Sequence, residues 1–149
     1  MITLKKKFAD SFNFVYNKFV IVRVDLNIPL VNGKVSDTTR IEKILPTINK
    51  LLENKAKIIL IAHLGRPKGK WVQDFSLKFL VDVISNYLNK KVFFCDDSII
   101  DLKKTNLEDK FKNYDLILLE NIRFYSQEEK NDKNFIKKLS SLGDIFINE

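Results

Sequence analysis

Cysteine, histidine, glycine and proline are all scarce in this chain, and each scarcity excludes something. The single cysteine, Cys95, rules out an internal disulfide and fits a reducing compartment. One cysteine with one histidine, His63, supplies no zinc-ligand pattern of the usual spacing. The four glycines, Gly33, Gly65, Gly69 and Gly143, form neither a GxxxxGKS/T phosphate loop nor a GxGxxG dinucleotide turn. No serine stands in a GxSxG elbow. Long apolar runs are also missing: the longest, around Lys57–Leu64, is far short of the roughly 20 residues that span a bilayer. Lys5, Lys6 and Lys7 resemble the basic end of a signal peptide, but Phe8 and Ala9 run straight into Asp10, so no apolar segment follows. The expectation is a cytoplasmic protein that neither enters nor binds a membrane.

What is present suits one folded unit. The 149 residues are 45% hydrophobic, a soluble globular composition. A chain of this length buries about 68–70% of its unfolded surface. The net charge of +7 and pI near 9.4 favour anionic partners without specifying one. Nucleic acid is a poor fit, because the lysines are spread along the chain rather than gathered in a stripe with interleaved aromatics. Only Arg23, Arg40, Arg66 and Arg123 are arginines; every other strong cation is lysine. Lysine suits a solvated surface, whereas the guanidinium fork suits a bidentate grip on phosphate or carboxylate.

The apolar pattern alternates strands with helices. Phe19–Val24 reads as a strand, followed by a loop with Pro29 and the turn Asn32-Gly33. Asp37 is placed to cap a helix reaching about Glu53, with Ile41, Ile44, Leu45, Ile48, Leu51 and Leu52 on one face and a kink at Pro46. Ile58–Ala62 is a second strand. Ser76 is read as the cap of a second helix, with Leu77, Leu80, Val81, Ile84, Tyr87 and Leu88 inward. Val92–Phe94 and Asp115–Leu119 follow as strands, with the polar Lys103–Lys112 stretch between them a surface loop or short helix. A helix from about Asp132 to Leu142 is expected to end on Gly143 as its C-cap, before a fifth strand at Ile145–Ile147. No internal repeat or low-complexity segment interrupts this order. Strands that read as continuous apolar runs between helices predict an α/β fold, a doubly wound, Rossmann-like parallel sheet in three αβα layers.

In such a sheet, ligands bind outside the carboxyl ends of the strands. Asp25 and Asn27 follow the first strand, Arg40 opens the next helix, His63 and Arg66 follow the second strand, and Arg123 follows the fourth. Converging on one sheet edge, these residues suit a small hydroxylated anion with phosphate and carboxylate groups better than a nucleobase. Singly, each has a plainer reading: His63 as hydrogen-bonded structure, Asp25 as a turn cap, Asn27 as support for the bend before Pro29, Arg123 as a partner of Glu120 or Glu128. Arg23, inside the strand, reads as a structural ion-pair partner outside the site.

The blocks "VIVRVDLNIP", "DTTRI", "ILPTINKLL", "HLGRPKGK", "LLENIRFYSQEEKND" and "KKLSSLGDIFINE" closely resemble the N-terminal domain of phosphoglycerate kinases, in the family's order and spacing from about Val15 onward. The resemblance implies a two-domain enzyme that transfers a phosphoryl group reversibly between 1,3-bisphosphoglycerate with ADP and 3-phosphoglycerate with ATP, a step of glycolysis. The N-terminal domain holds 3-phosphoglycerate, and the C-terminal domain holds the magnesium complex of ADP or ATP. By position, it implies Arg40 as the catalytic arginine, and Asp25, Leu26, Asn27, Arg40, His63, Leu64, Gly65, Arg66 and Arg123 as the substrate-binding set. It also implies no nucleic-acid or membrane partner and a monomeric full-length enzyme.

The sequence departs from the family at Glu149, where the family normally has aspartate and continues. Residues 1–149 are accordingly expected to be a partial substrate-binding domain without the nucleotide domain, inactive alone. The last strand is expected to present an unpaired edge and to promote aggregation. The competing reading is a non-catalytic anion-binding remnant of the same fold.

Overall fold

The computed structural model describes residues 2–4, 13–28, 30–31 and 34–149; the expected turn at Asn32-Gly33 and Pro29 lie outside the described residues. A six-stranded sheet forms the centre, in the order β1-β8-β2-β5-β7-β6. Its strands are β1 (Ile2–Leu4), β2 (Phe19–Arg23), β5 (Lys57–Ile61), β6 (Val92–Cys95), β7 (Leu116–Leu119) and β8 (Ile145–Asn148). Every neighbouring pair is parallel. A small antiparallel pair, β3 (Leu30–Val31) and β4 (Lys34–Val35), lies outside this sheet. The helices are α1 (Thr39–Glu53), α2 (Leu80–Leu88), α3 (Lys104–Lys110), α4 (Ser126–Glu129) and α5 (Lys133–Ser140).

Successive strand residues point to opposite faces, and both faces are covered. Val20, Val22, Ile58, Leu60, Leu116 and Leu118 pack with Ile41, Ile44 and Ile48 of α1 and Leu80 and Ile84 of α2. Ile21, Ile59, Ile61, Ile117 and Leu119 pack on the other side with Leu107 of α3 and Phe135 of α5. The three-layer αβα expectation is therefore met. No helix among the described residues is long and apolar enough to cross a membrane.

Several local expectations are corrected. The last strand is not an edge: β8 pairs with β2 on one side and with β1 on the other. The N-terminal three-residue strand was not legible as one. The edges are β1 and β6, so the argued route to aggregation through β8 does not hold. Ser76 does not cap α2, which starts at Leu80 without a side-chain cap; its hydroxyl instead donates to Glu120 Oε2 at 2.7 Å. Tyr87 is exposed, because its hydroxyl reaches across to Thr38 Oγ1 (2.9 Å) and Glu42 Oε1 (3.2 Å) on the rim of α1. Helix α1 starts at Thr39 with Thr38, not Asp37, as its N-cap; Asp37 stands one residue earlier, where its Oδ1 accepts from the Thr39 amide at 2.8 Å, and the helix runs through Pro46 to Glu53. Asp132, read as the approximate start of the helix, is the N-cap of α5, accepting from Phe135 N at 2.8 Å. Gly143 is not the C-cap, which is Ser141. Glycine is required at position 143 by packing: a Cβ there would stand 2.6 Å from Ile21 Cγ1.

Candidate anion-binding site at the strand ends

The order of the sheet runs both ways from β2, with β5, β7 and β6 to one side and β8 and β1 to the other. The segments leaving β2, β5 and β7 therefore emerge side by side, where an open parallel sheet binds its ligands. They carry most of the candidate residues, and a chain of hydrogen bonds ties them together.

Asp25 and Asn27 follow β2. Asp25 Oδ1 accepts from the Asn27 amide at 3.1 Å, closing a short turn, while Asp25 Oδ2 accepts from Arg40 at the start of α1. Asn27 Oδ1 accepts from the Gly65 amide at 3.1 Å, joining the first loop to the second. Gly65 has φ of +61°, and a Cβ there would lie 2.4 Å from Phe75 Cε1, so only glycine fits the turn after His63-Leu64. Beside this junction, Asn27, Leu64, Gly65, Asp74 and Phe75 contribute to the walls of a cavity of about 670 Å³.

Asn121, which sequence reasoning did not single out, joins the second loop to the third. It is fully buried at the end of β7. Its Nδ2 donates to Leu64 O (2.8 Å) and Phe75 O (2.9 Å), and its Oδ1 accepts from Arg123 N (3.0 Å). Both N–H donors of the amide are used, and its oxygen accepts one bond. Glu120 beside it accepts from Ser76 Oγ, Leu77 N and Asn121 N. The only sequence signal for the pair was its place in "LLENIRF", directly after an apolar strand.

The structure sorts the other candidates. Leu26 and Leu64 are core side chains, 0% and 7% exposed. Arg66 is exposed and has no ion pair or side-chain hydrogen bond among the described residues. Arg123 pairs with Glu128, as one plain reading had it, through Nε to Oε2 at 3.3 Å. Arg23 is an ion-pair partner as expected, its NH2 donating to Glu128 Oε1 at 3.2 Å. Cys95 is free and buried, its thiol pushed up to about 11 by that burial.

His63 senses the collected charge. Partial burial, reinforced by Arg123, Arg23 and Arg40, holds its imidazole below the usual 6.5, with Glu128 opposing. A base depressed in the fold is protonated first in the unfolded chain. Its contribution to stability is therefore complete above pH 6.5 and falls as pH drops through the folded value. An NMR titration of this sole histidine is expected to give a midpoint below 6.5 that moves up when a phosphorylated anion binds beside it.

Fold and strand ends together define a doubly wound α/β protein whose loops after β2, β5 and β7 carry Asp25, Asn27, His63, Arg66 and Arg123, with Arg40 at the start of α1. A family model described as phosphoglycerate kinase matches residues 10–149. The phosphoglycerate kinase of Rhizobium meliloti is 45% identical over 143 residues, which cover 96% of this chain and 36% of the relative. That of Borreliella afzelii is 47% identical over 144 residues, with the same shares. The solved phosphoglycerate kinase of Coxiella burnetii superposes with a TM-score of 0.79 at 34% identity, covering 98% of this chain and 35% of that one. The chain belongs to the phosphoglycerate kinase family, and it spans about a third of the length of these relatives.

Proposed function

We propose that these residues are the substrate-binding part of a phosphoglycerate kinase and hold 3-phosphoglycerate or 1,3-bisphosphoglycerate during reversible phosphoryl exchange with ATP or ADP. The observation that carries this reading is the linked junction at the ends of β2, β5 and β7, which joins Asp25, Arg40, Asn27 and Arg123 through Gly65, Leu64 and Asn121, in the loop that begins at His63.

In this reading Asp25 accepts from the substrate hydroxyl, and Asn27 positions the glycerate backbone. His63, Arg66 and Arg123 hold the charged ends. Arg40 meets the transferring phosphoryl group, where charge spreads over oxygens that a planar fork can address. Positioning and charge do the work, since phosphoryl transfer leaves little covalent chemistry to the protein. We assign the magnesium nucleotide to the C-terminal domain of a two-domain enzyme, with 1–149 as part of the N-terminal domain. The assignment carries a cytoplasmic, monomeric enzyme of glycolysis with it.

Titration of the 149-residue chain by NMR tests the reading. Shifts confined to the strand-end loops are expected with 3-phosphoglycerate, at millimolar affinity, equivalent to about −4 kcal/mol, and weakening as salt is raised. ATP is expected to cause no saturable shift, and the chain alone no turnover. Saturable ATP binding, or 3-phosphoglycerate shifts scattered over the surface, would overturn it.

A further inference from the structure

We infer that Glu128 is a positioning residue for the substrate site: its carboxylate grips one edge of the Arg123 guanidinium and anchors it to Arg23, leaving the other edge set to receive an anion. The inference rests on the reading of the strand ends as the 3-phosphoglycerate site.

A guanidinium presents five donors in a rigid plane, at the end of a long and flexible stem. At Arg123 only Nε is engaged, by Glu128 Oε2 at 3.3 Å with Glu129 Oε1 at 3.8 Å. The two terminal nitrogens have no acceptor among the described residues. The other oxygen of Glu128 takes Arg23 NH2 at 3.2 Å. Arg23 is the last residue of β2 and is paired in register with Ile61 on one side and Asn148 on the other. Glu128 thus refers the orientation of Arg123 to the rigid sheet rather than to a loop.

The element that carries Glu128 is itself wedged in place. Gly69, in the loop after His63, has φ of +71°, and a Cβ there would stand 2.5 Å from Ser126 Cβ at the start of α4. The side chains of Glu128 and Arg123 are only 12% and 20% exposed, so water competes less for this pair than for a surface one. A fork already ordered loses less freedom when it binds. The carboxylate also lowers the local positive charge, so the test must hold charge constant.

Glu128→Asp does so, and its shorter stem cannot span both arginines. Binding of 3-phosphoglycerate to the full 149-residue chain is read from the ring signals of His63, beside a thermal melt. Glu128→Asp is expected to weaken binding by about tenfold with the parent's melting midpoint. Arg123→Gln should weaken binding as well, and on that background Glu128→Asp should add nothing. A merely structural role would instead lower the midpoint and weaken binding on both backgrounds. Parent-like affinity of folded Glu128→Asp, or equal losses on both backgrounds, overturns the inference. Should the aspartate variant melt early, the same cycle is run at a temperature below its melting midpoint, with the same criterion, dependence on Arg123. If Arg123→Gln leaves affinity unchanged, the site assignment fails, a different result from failure of Glu128 alone.

Discussion

Arg40→Lys, in a two-domain enzyme carrying these residues, is expected to lower turnover by about a hundredfold or more, equivalent to roughly 3–4 kcal/mol of transition-state stabilisation. Substrate affinity should fall far less. Arg40 opens α1 with its side chain 44% exposed and is held by Asp25 from the turn after β2. One edge of the guanidinium is thus oriented by a carboxylate. Lysine keeps the charge but is a single ammonium point; it cannot both answer Asp25 and address two oxygens of a phosphoryl group. Charge alone supports ground-state binding, so the loss should appear in kcat rather than KM. Steady-state kinetics in both directions check this. Near-normal turnover would remove Arg40 from contact with the transferring group.

Asn121→Ala is expected to destabilise the fold by about 3–5 kcal/mol, since each buried polar group left unpaired costs roughly 1–3 kcal/mol. The change strands the carbonyls of Leu64 and Phe75 and the amide of Arg123 together. Asn121→Asp should be no better, because a carboxylate would face two carbonyl oxygens. Denaturant unfolding measures the loss. The variant should also bind 3-phosphoglycerate more weakly than its residual folded fraction explains, because the loops carrying His63 and Arg123 are no longer joined. A loss under about 1 kcal/mol would mean that water replaces the amide at little cost.

The elements were legible where one face of a strand or helix is buried by its own periodicity. Ile58–Ala62 and Leu116–Leu119 carry unbroken apolar runs, and Ile41, Ile44, Ile48 and Leu51 recur at helical spacing. These patterns are local, so they survive without knowledge of partners. The positions of Asp25, Asn27, Arg40, His63 and Arg123 past strand ends were legible for the same reason, since a parallel sheet brings all its carboxyl ends to one edge. Tyr87 misled because a tyrosine at an apolar helical position carries a hydroxyl that favours the rim over the core. Gly143 misled because a glycine after a helix has two explanations, backbone freedom and close approach, and spacing cannot separate them.

By itself, the sequence determined the layers, the parallel order of strand and helix, and which polar residues share an edge. Only the tertiary structure decided who holds whom: β1 beside β8, Asn121 on the Leu64 carbonyl 57 positions away, and Glu128 on Arg23 across 105 positions. Hydrophobic burial depends on the side chain and its local period, and can be read along the chain. A hydrogen bond needs a particular atom at a particular distance and angle, and which distant atom arrives there is set by the packing of whole elements.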